Sequence, residues 1–138
     1  HYPLMVLIDY RGYRLMAEPI LPIDADTLAY GSADGCRSIA LSKGPLLKRI
    51  KLASRMLNLK PHDVFPRDSH DRFARIYTPV DLEAHVGRDQ RFYVLDAHRI
   101  FPPSTPIADV QGCYLYQLLR PELVKNYQLP LCSDAFSQ

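Results

Sequence analysis

The chain has 138 residues, of which 47% are apolar and 23% charged, and its formal net charge is +2. These values fit one soluble globular domain, and so small a net charge does not by itself indicate a partner. No apolar run is long enough to span a bilayer, and three widely spaced cysteines without a Cys-x-x-Cys pair argue against a disulfide framework or a structural zinc site. Reduced thiols in a cytoplasmic protein are the simplest expectation.

The first part of the chain is predicted to form short strands joined by turns. Apolar residues 4–8 are typical of a buried strand, and a turn at 9–12 joins it to a second strand at 13–17. A third strand at 27–31 and a fourth at 37–41 flank another turn. Two N-terminal hairpins are therefore expected.

A basic amphipathic helix is predicted next, at 45–58, with Ser42 as its N-cap. From residue 43 to residue 60 there are six basic residues and no acidic one. One face should carry the following cations: Lys48, Lys51 and Arg55, with Arg49 beside them. Either this is a solvated helix face, or it is a site for phosphate in nucleic acid or acidic lipid.

A polar loop at 61–71 follows. It holds a cluster of histidine and aspartate residues: His62, Asp63, Asp68, His70 and Asp71. Their spacing matches no ligand pair on a helix or hairpin, so no metal site is predicted. Residues 72–78 should form a strand.

The central stretch, 77–103, is predicted to be a hairpin that is dense in chemically capable groups. Its turn is 87–90, where Gly87 can take a positive φ, and its second strand is 91–96. The candidate residues, structural or ligand-binding, are Asp81, His85, Arg91, Asp96 and Arg99. Two C-terminal helices at 111–119 and 121–127 complete an α+β domain with a mostly antiparallel sheet.

Four distinct motifs lie along these elements. The first two are Asp-Tyr-Arg-Gly-Tyr-Arg at 9–14 and Tyr-Gly-Ser-Ala-Asp-Gly at 30–35. The third is Gly-Arg-Asp-Gln-Arg-Phe-Tyr-Val-Leu-Asp at 87–96, followed by Arg99 and Phe-Pro-Pro at 101–103, and the fourth is Leu-Arg-Pro-Glu-Leu-Val at 119–124. Together they resemble the CLU domain of clustered-mitochondria proteins. Two features depart from that pattern. Gln90 replaces a glycine that the family has after Asp89, and residues 43–71 are less similar.

The resemblance implies a large cytosolic protein linked to mitochondrial distribution and to binding messenger RNAs for mitochondrial proteins. It implies no enzymatic activity and assigns no ligand to the motif residues. Because the chain begins with His1, we expect a single CLU-like domain, 1–138, that is a fragment of a longer protein.

The alternative is an enzyme. Asp81 before a short hairpin and Asp96 at its end have the layout of a kinase-like catalytic segment. A kinase-like or degenerate nucleotide-binding fragment would use Asp81, His85 and Asp96. However, Val86 stands where such a segment has asparagine, and the chain has no glycine-rich phosphate loop. The structural interpretation is that Asp96 pairs with Arg99, with Arg91 as a third member.

The sequence thus predicts a non-catalytic interaction domain without cofactor or metal. Its Lys48/Lys51/Arg55 face is expected to bind an anionic partner, RNA first and an acidic protein surface second. Other domains of the parent chain are a third expected partner, and apolar patches left exposed would support that scaffold role.

Overall fold

The structure is a computed structural model that describes residues 1–68 and 72–137. His70 and Asp71 of the predicted polar loop lie outside the described residues. The strands are β1 (Val6–Tyr10), β2 (Tyr13–Ala17), β3 (Leu28–Gly31), β4 (Ala40–Leu41), β5 (His62–Val64), β6 (Ala74–Ile76), β7 (Glu83–Val86) and β8 (Phe92–Leu95). The helices are α1 (Pro45–Met56) and α2 (Pro121–Asn126), with 3-10 turns at Ala25–Thr27, Ala97–Arg99 and Cys113–Leu115.

The strands form antiparallel sheets, which confirms the predicted α+β class. The main sheet has the order β4-β3-β7-β8, and two separate ribbons pair β1 with β2 and β5 with β6. The predicted central hairpin is β7–β8, with Ala84 opposite Val94. Strand β5 lies in the stretch that was predicted to be a loop, so that prediction is wrong at 62–64.

Helix α1 packs its apolar stripe on the main sheet. Leu46 and Ile50 from the helix join five other residues in one buried cluster: Ala29, Tyr30, Ile76, Leu82 and Ala84. The spacing 46, 50 and 54 places the buried positions on one side of the helix, as the sequence predicts.

The entrance to α1 differs from the prediction. Gly44, with φ 136°, is the N-cap and no side chain caps the helix. Ser42 lies two residues before the N-cap position, and its N–H donates to the Ala29 carbonyl at 2.8 Å, which extends the pairing of β3 with β4.

The N-terminal hairpin is confirmed, but the buried strand predicted at 4–8 is wrong. All ten residues of β1 and β2 are exposed, since the ribbon lies outside the core. Arg11 and Gly12 both have positive φ, at 49° and 83°, as a two-residue turn of type I′ requires.

The C-terminal part holds one of the two predicted α-helices. Helix α2 is present, whereas residues 111–119 form only a 3-10 turn. The Gly112 backbone is left-handed at its start, with φ 72°. Beyond the turn, Leu119 N–H donates to the Pro102 carbonyl and Ser104 N–H to the Gln117 carbonyl, each at 2.8 Å. Pairing with the Pro-Pro segment therefore replaces the helix.

Candidate functional site

The basic residues of α1 lie on its solvent side. Lys48, Arg49 and Arg55 are exposed and Lys51 is half-buried. Spacings of three and seven residues place Lys48, Lys51 and Arg55 along one side of the helix. Within residues 1–68 and 72–137, none of these four cations has a salt bridge to an acidic group. The helix therefore presents positive charge that nearby acids do not compensate.

Aromatic rings from the sheet region lie under two of these cations. Lys51 Nζ is 4.9 Å from the centre of the Tyr77 ring, and Arg49 Cζ is 5.1 Å from that of Phe92. Both distances are within the range of cation–π contacts. The helix sequence itself has no aromatic residue, so only the fold brings rings and cations together.

Arg99 is buried between two carboxylates. Its Nε donates to Asp81 Oδ2 at 2.6 Å, and its NH2 group lies 3.4 Å from Asp134 Oδ1. The expected Asp96–Arg99 pair is therefore wrong. Asp96 is exposed, with φ 53°, and from it the chain enters the 3-10 turn that directs Arg99 inward. Arg91 is not a third member either, since it approaches Asp89 at 3.7 Å.

Asp134 joins this cluster to β5. Its Oδ2 accepts hydrogen bonds from the Val80 N–H at 2.8 Å and from His62 Nε2 at 2.9 Å. His62 Nδ1 lies 3.2 Å from the Lys60 carbonyl, so each ring nitrogen faces an acceptor and carries a hydrogen. Burial opposes that charge, but the Asp134 carboxylate and the neighbouring Cys132 sulfur outweigh it and raise the pKa of His62 to about 10.

His85 is held by a second set of hydrogen bonds. Thr27 Oγ1 donates its hydrogen to the Asp24 carbonyl at 2.7 Å, so it accepts from His85 Nδ1 at 3.0 Å. His85 Nε2 lies 3.3 Å from Glu83 Oε2. The ring is 6% exposed. The ring therefore connects β7 to the 3-10 turn at Ala25–Thr27.

The three residues of the kinase-like alternative lie apart. Asp81 is paired with Arg99, while His85 lines a cavity with Asp24, Asp34 and Glu83. Asp96 lines another cavity, with Tyr2 and His98. The structure therefore gives no support to a shared nucleotide site.

The signature turn of the central hairpin is stabilised by Asp89. Its carboxylate accepts from the Arg91 N–H at 3.2 Å and from the Tyr93 hydroxyl at 2.8 Å. A Cβ at Gly87 would lie 2.7 Å from Asp89 Oδ1 and 2.8 Å from the Tyr93 ring, so a larger residue there would have to displace these side chains. The positive φ expected at Gly87 occurs instead at Gln90, with φ 63°.

The Tyr-Gly-Ser-Ala-Asp-Gly motif is likewise structural. The buried Tyr30 hydroxyl accepts from the Tyr77 N–H at 2.8 Å. A Cβ at Gly31 would lie 1.8 Å from the carbonyl oxygen of Leu82, the residue directly before β7. The backbone there is too close for any side chain at position 31. Asp34 accepts from the Ser32 and Ser38 hydroxyls at 2.8 and 2.7 Å. With the backbone N–H groups that it also binds, these hydrogen bonds lower the pKa of Asp34 to about 2.

The pairing of Asp134 with His62 was not predicted from the sequence. These residues are 72 positions apart, so no local pattern connects them. Across the described part of the chain, no group of three or more His, Cys, Asp or Glu residues is arranged to hold a metal ion. Nor, in those same residues, is any helix both long and apolar enough to cross a membrane.

The fold and its polar clusters define an α+β module in which motif carboxylates, histidines and arginines bind one another. The CLU family model, described as "Clustered mitochondria", matches residues 1–106, which is most of the chain. The chain therefore belongs to the CLU family, and the resemblance noted in its motifs is confirmed.

Curated relatives carry the same family name. The chain is 31% identical to the "Clustered mitochondria protein" of Arabidopsis thaliana over 128 residues, 89% of this chain and 9% of that protein. It is 33% identical to "Protein clueless" of Drosophila mojavensis over 115 residues, 80% of this chain and 8% of the relative. The chain thus spans less than a tenth of the length of these relatives. No solved structure gives a significant match.

Proposed function

We propose that this chain is a non-catalytic interaction domain of a cytoplasmic CLU protein, and that its basic helix binds an anionic partner. RNA is the first candidate and an acidic protein surface the second. A role linked to mitochondrial distribution is proposed from the names of its relatives. No cofactor takes part in this function.

One observation carries the proposal: Lys48, Lys51 and Arg55 line one side of α1 without an acidic partner among the described residues. Cations that serve only solubility are usually interspersed with acids, and here the stretch from 43 to 60 has none. A side chain of this kind can neutralise a phosphate and release its counterion.

The test is binding of a fluorescent single-stranded RNA at several salt concentrations. With three phosphate contacts, the slope of log affinity against log salt should be about −2, so affinity should fall about tenfold or more between 50 and 200 mM salt. The triple variant Lys48→Glu/Lys51→Glu/Arg55→Glu should lose most of this binding.

The matched control changes the charge equally on other exposed cations: Arg67→Glu/Arg120→Glu/Lys125→Glu. It should retain most of the affinity, because a local site depends on position more than on net charge. Equal losses in both triple variants would contradict a site on α1. If RNA does not bind even at low salt, the same variants can be tested against an acidic protein partner.

A further inference from the structure

Two apolar side chains are exposed in the middle of the basic side of α1. Leu52 is 59% exposed and Met56 is 73% exposed. Residue 52 is two positions after the buried Ile50, and at 3.6 residues per turn it is rotated about 160° away from that residue. Met56 is four positions further on, so the two side chains are neighbours on the helix surface. We call Leu52 and Met56 the apolar ridge.

Cations flank the apolar ridge on both sides. By the same helical geometry, Lys48 and Arg55 lie on one side of Leu52 with Lys51 beyond them, and Arg49 lies on the other side, next to Met56. Among the described residues none of these cations forms a salt bridge to an acidic group. The solvent side of α1 is therefore an apolar centre within uncompensated positive charge.

This arrangement fits a helical partner of opposite charge. Contacts to phosphate need only the cations, and a single exposed apolar residue would need no explanation. Two residues four positions apart, however, form the kind of ridge that packs into the groove of a second helix. Charged residues beside such a seam select a partner with complementary charge. Because α1 has 12 residues, about three turns of a partner helix can lie along it.

We propose that the solvent side of α1 is a docking surface for an acidic amphipathic helix of another polypeptide. The apolar stripe of that helix packs on Leu52 and Met56, and its carboxylates pair with Lys48, Lys51 and Arg55. The inference rests on the proposed function, because these three cations are the ones proposed to bind RNA. The acidic helix and RNA therefore exclude each other, and the helical partner regulates RNA binding by occupying its site.

A synthetic peptide tests the docking surface. The probe is a fluorescein-labelled 16-residue peptide with leucines at every third or fourth position and glutamate and alanine elsewhere, which gives one apolar stripe between acidic flanks. A control peptide has the same composition with its leucines scattered around the helix. In fluorescence anisotropy at low salt, the stripe peptide should bind the whole chain about tenfold more tightly than the control, because only it can bury its leucines on the ridge.

Two double variants separate the apolar ridge from general surface effects. Leu52→Gln/Met56→Gln keeps every charge and should weaken binding of the stripe peptide about tenfold. The matched control is Leu123→Gln/Tyr127→Gln, which changes two residues of the same spacing at α2, each 50% exposed. The control should keep the parent affinity, and circular dichroism checks that both variants fold. Equal losses in the two variants, or equal binding of the two peptides, would overturn the proposal.

A charge exchange tests the flanking cations. A stripe peptide with lysine in place of each glutamate should not bind the parent chain, but it should bind the variant Lys48→Glu/Lys51→Glu/Arg55→Glu. That variant should lose the acidic peptide. A lysine peptide that fails to bind the variant would overturn the assignment of these cations to the partner's carboxylates.

Competition with RNA distinguishes this inference from the proposed function. Unlabelled single-stranded RNA should displace the acidic peptide, and RNA that binds without displacing it would overturn the mutual exclusion. RNA binding without peptide binding would overturn the docking surface alone, whereas peptide binding without RNA binding would overturn only the RNA site. Vesicles of phosphatidylcholine and phosphatidylserine are a third probe. If they bind the parent but not Leu52→Gln/Met56→Gln, and the peptide does not bind, the face belongs to a lipid surface and the proposal is overturned.

Discussion

Several polar side chains of this domain bind backbone groups of their own turn. Asp34 accepts from the Arg37 and Ser38 N–H groups at 2.9 and 3.1 Å, and Asp89 accepts from the Arg91 N–H. Such short-range bonds fix the loops at 32–38 and 87–91 without any ligand. The family motifs that contain these aspartates are therefore explained by local structure, and they do not require a catalytic role.

Gln90 is a non-glycine residue in the left-handed position of the central turn. Its φ of 63° is a left-handed conformation that costs a non-glycine residue about 1–2 kcal/mol. We predict that Gln90→Gly stabilises the domain by up to about 1 kcal/mol, because relief of strain exceeds the entropic cost of glycine. Thermal unfolding should show a melting temperature about 2–4 °C higher.

Gln90→Asn is the graded control, since asparagine tolerates this conformation better than glutamine does. The melting temperature of Gln90→Asn should lie between those of the parent and of Gln90→Gly. A Gln90→Gly variant that is no more stable than the parent would mean that the turn carries no strain at this position.

At the scale of elements, the end of α1 is joined to the end of α2 by one side chain. Asn58 follows α1 with φ 58°, and its Nδ2 donates to the carbonyls of Val124 and Tyr127 at 2.8 and 2.9 Å. These carbonyls are at the C-terminal end of α2, where the Val124 carbonyl also accepts a hydrogen bond from the Tyr127 N–H at 3.3 Å. A single amide thus satisfies acceptors of another helix.

We predict that Asn58→Asp destabilises the domain by about 2 kcal/mol or more. Aspartate tolerates the same backbone conformation, but its carboxylate cannot donate and would face two carbonyl oxygens. Asn58→Gly, which keeps the conformation and removes the side chain, should cost less. Urea unfolding of the three proteins measures the difference, and equal stability of Asn58→Asp and the parent would contradict this role.

The sequence predicted those elements whose signals are local. Helix α1 follows from its apolar spacing, and β7–β8 from its turn and its aromatic and β-branched residues. The exposure of β1 could not be predicted in this way, because the apolar side chains of Leu7 and Ile8 do not tell whether the strand packs on the core. The prediction of a helix at 111–119 was wrong because this segment pairs with Pro102–Ser104, and no local pattern reveals that pairing. The Asp134 cluster escaped detection for the same reason.

At the scale of the whole molecule, the Asp134 cluster joins segments that are far apart along the chain. Its carboxylate, which is 7% exposed, contacts His62 on β5 and Arg99 after β8. The C-terminal segment therefore belongs to the same packed unit as the main sheet. Since β5 also pairs with β6 next to the core, changes in this ion pair should affect global stability.

This ion pair makes stability depend on pH in the alkaline range. The folded pKa of His62, about 10, exceeds the model-peptide value of 6.5. Its contribution is therefore complete below pH 6.5 and is lost as pH rises from 6.5 through about 10. We predict that His62→Gln, which can still donate to Asp134 but does not titrate, flattens this part of the stability curve. Urea unfolding at pH 6, 8 and 9.5 measures it.

The matched control is His98→Gln, which removes an exposed histidine and should keep the parent slope. Other groups titrate equally in all three proteins, so the difference between the curves isolates His62. A parent curve that parallels the His62→Gln curve over this range would show that the imidazole is not held as a cation.

The match to the family stops at residue 106, yet Val124 is completely buried and Cys113 and Ser133 nearly so. A fragment that ended at residue 106 would lack these buried residues and would leave the His62 imidazole without the Asp134 carboxylate. In longer homologues, the downstream boundary of an expressed fragment should therefore lie beyond the residue equivalent to Ser137, so that the fragment keeps these buried contacts.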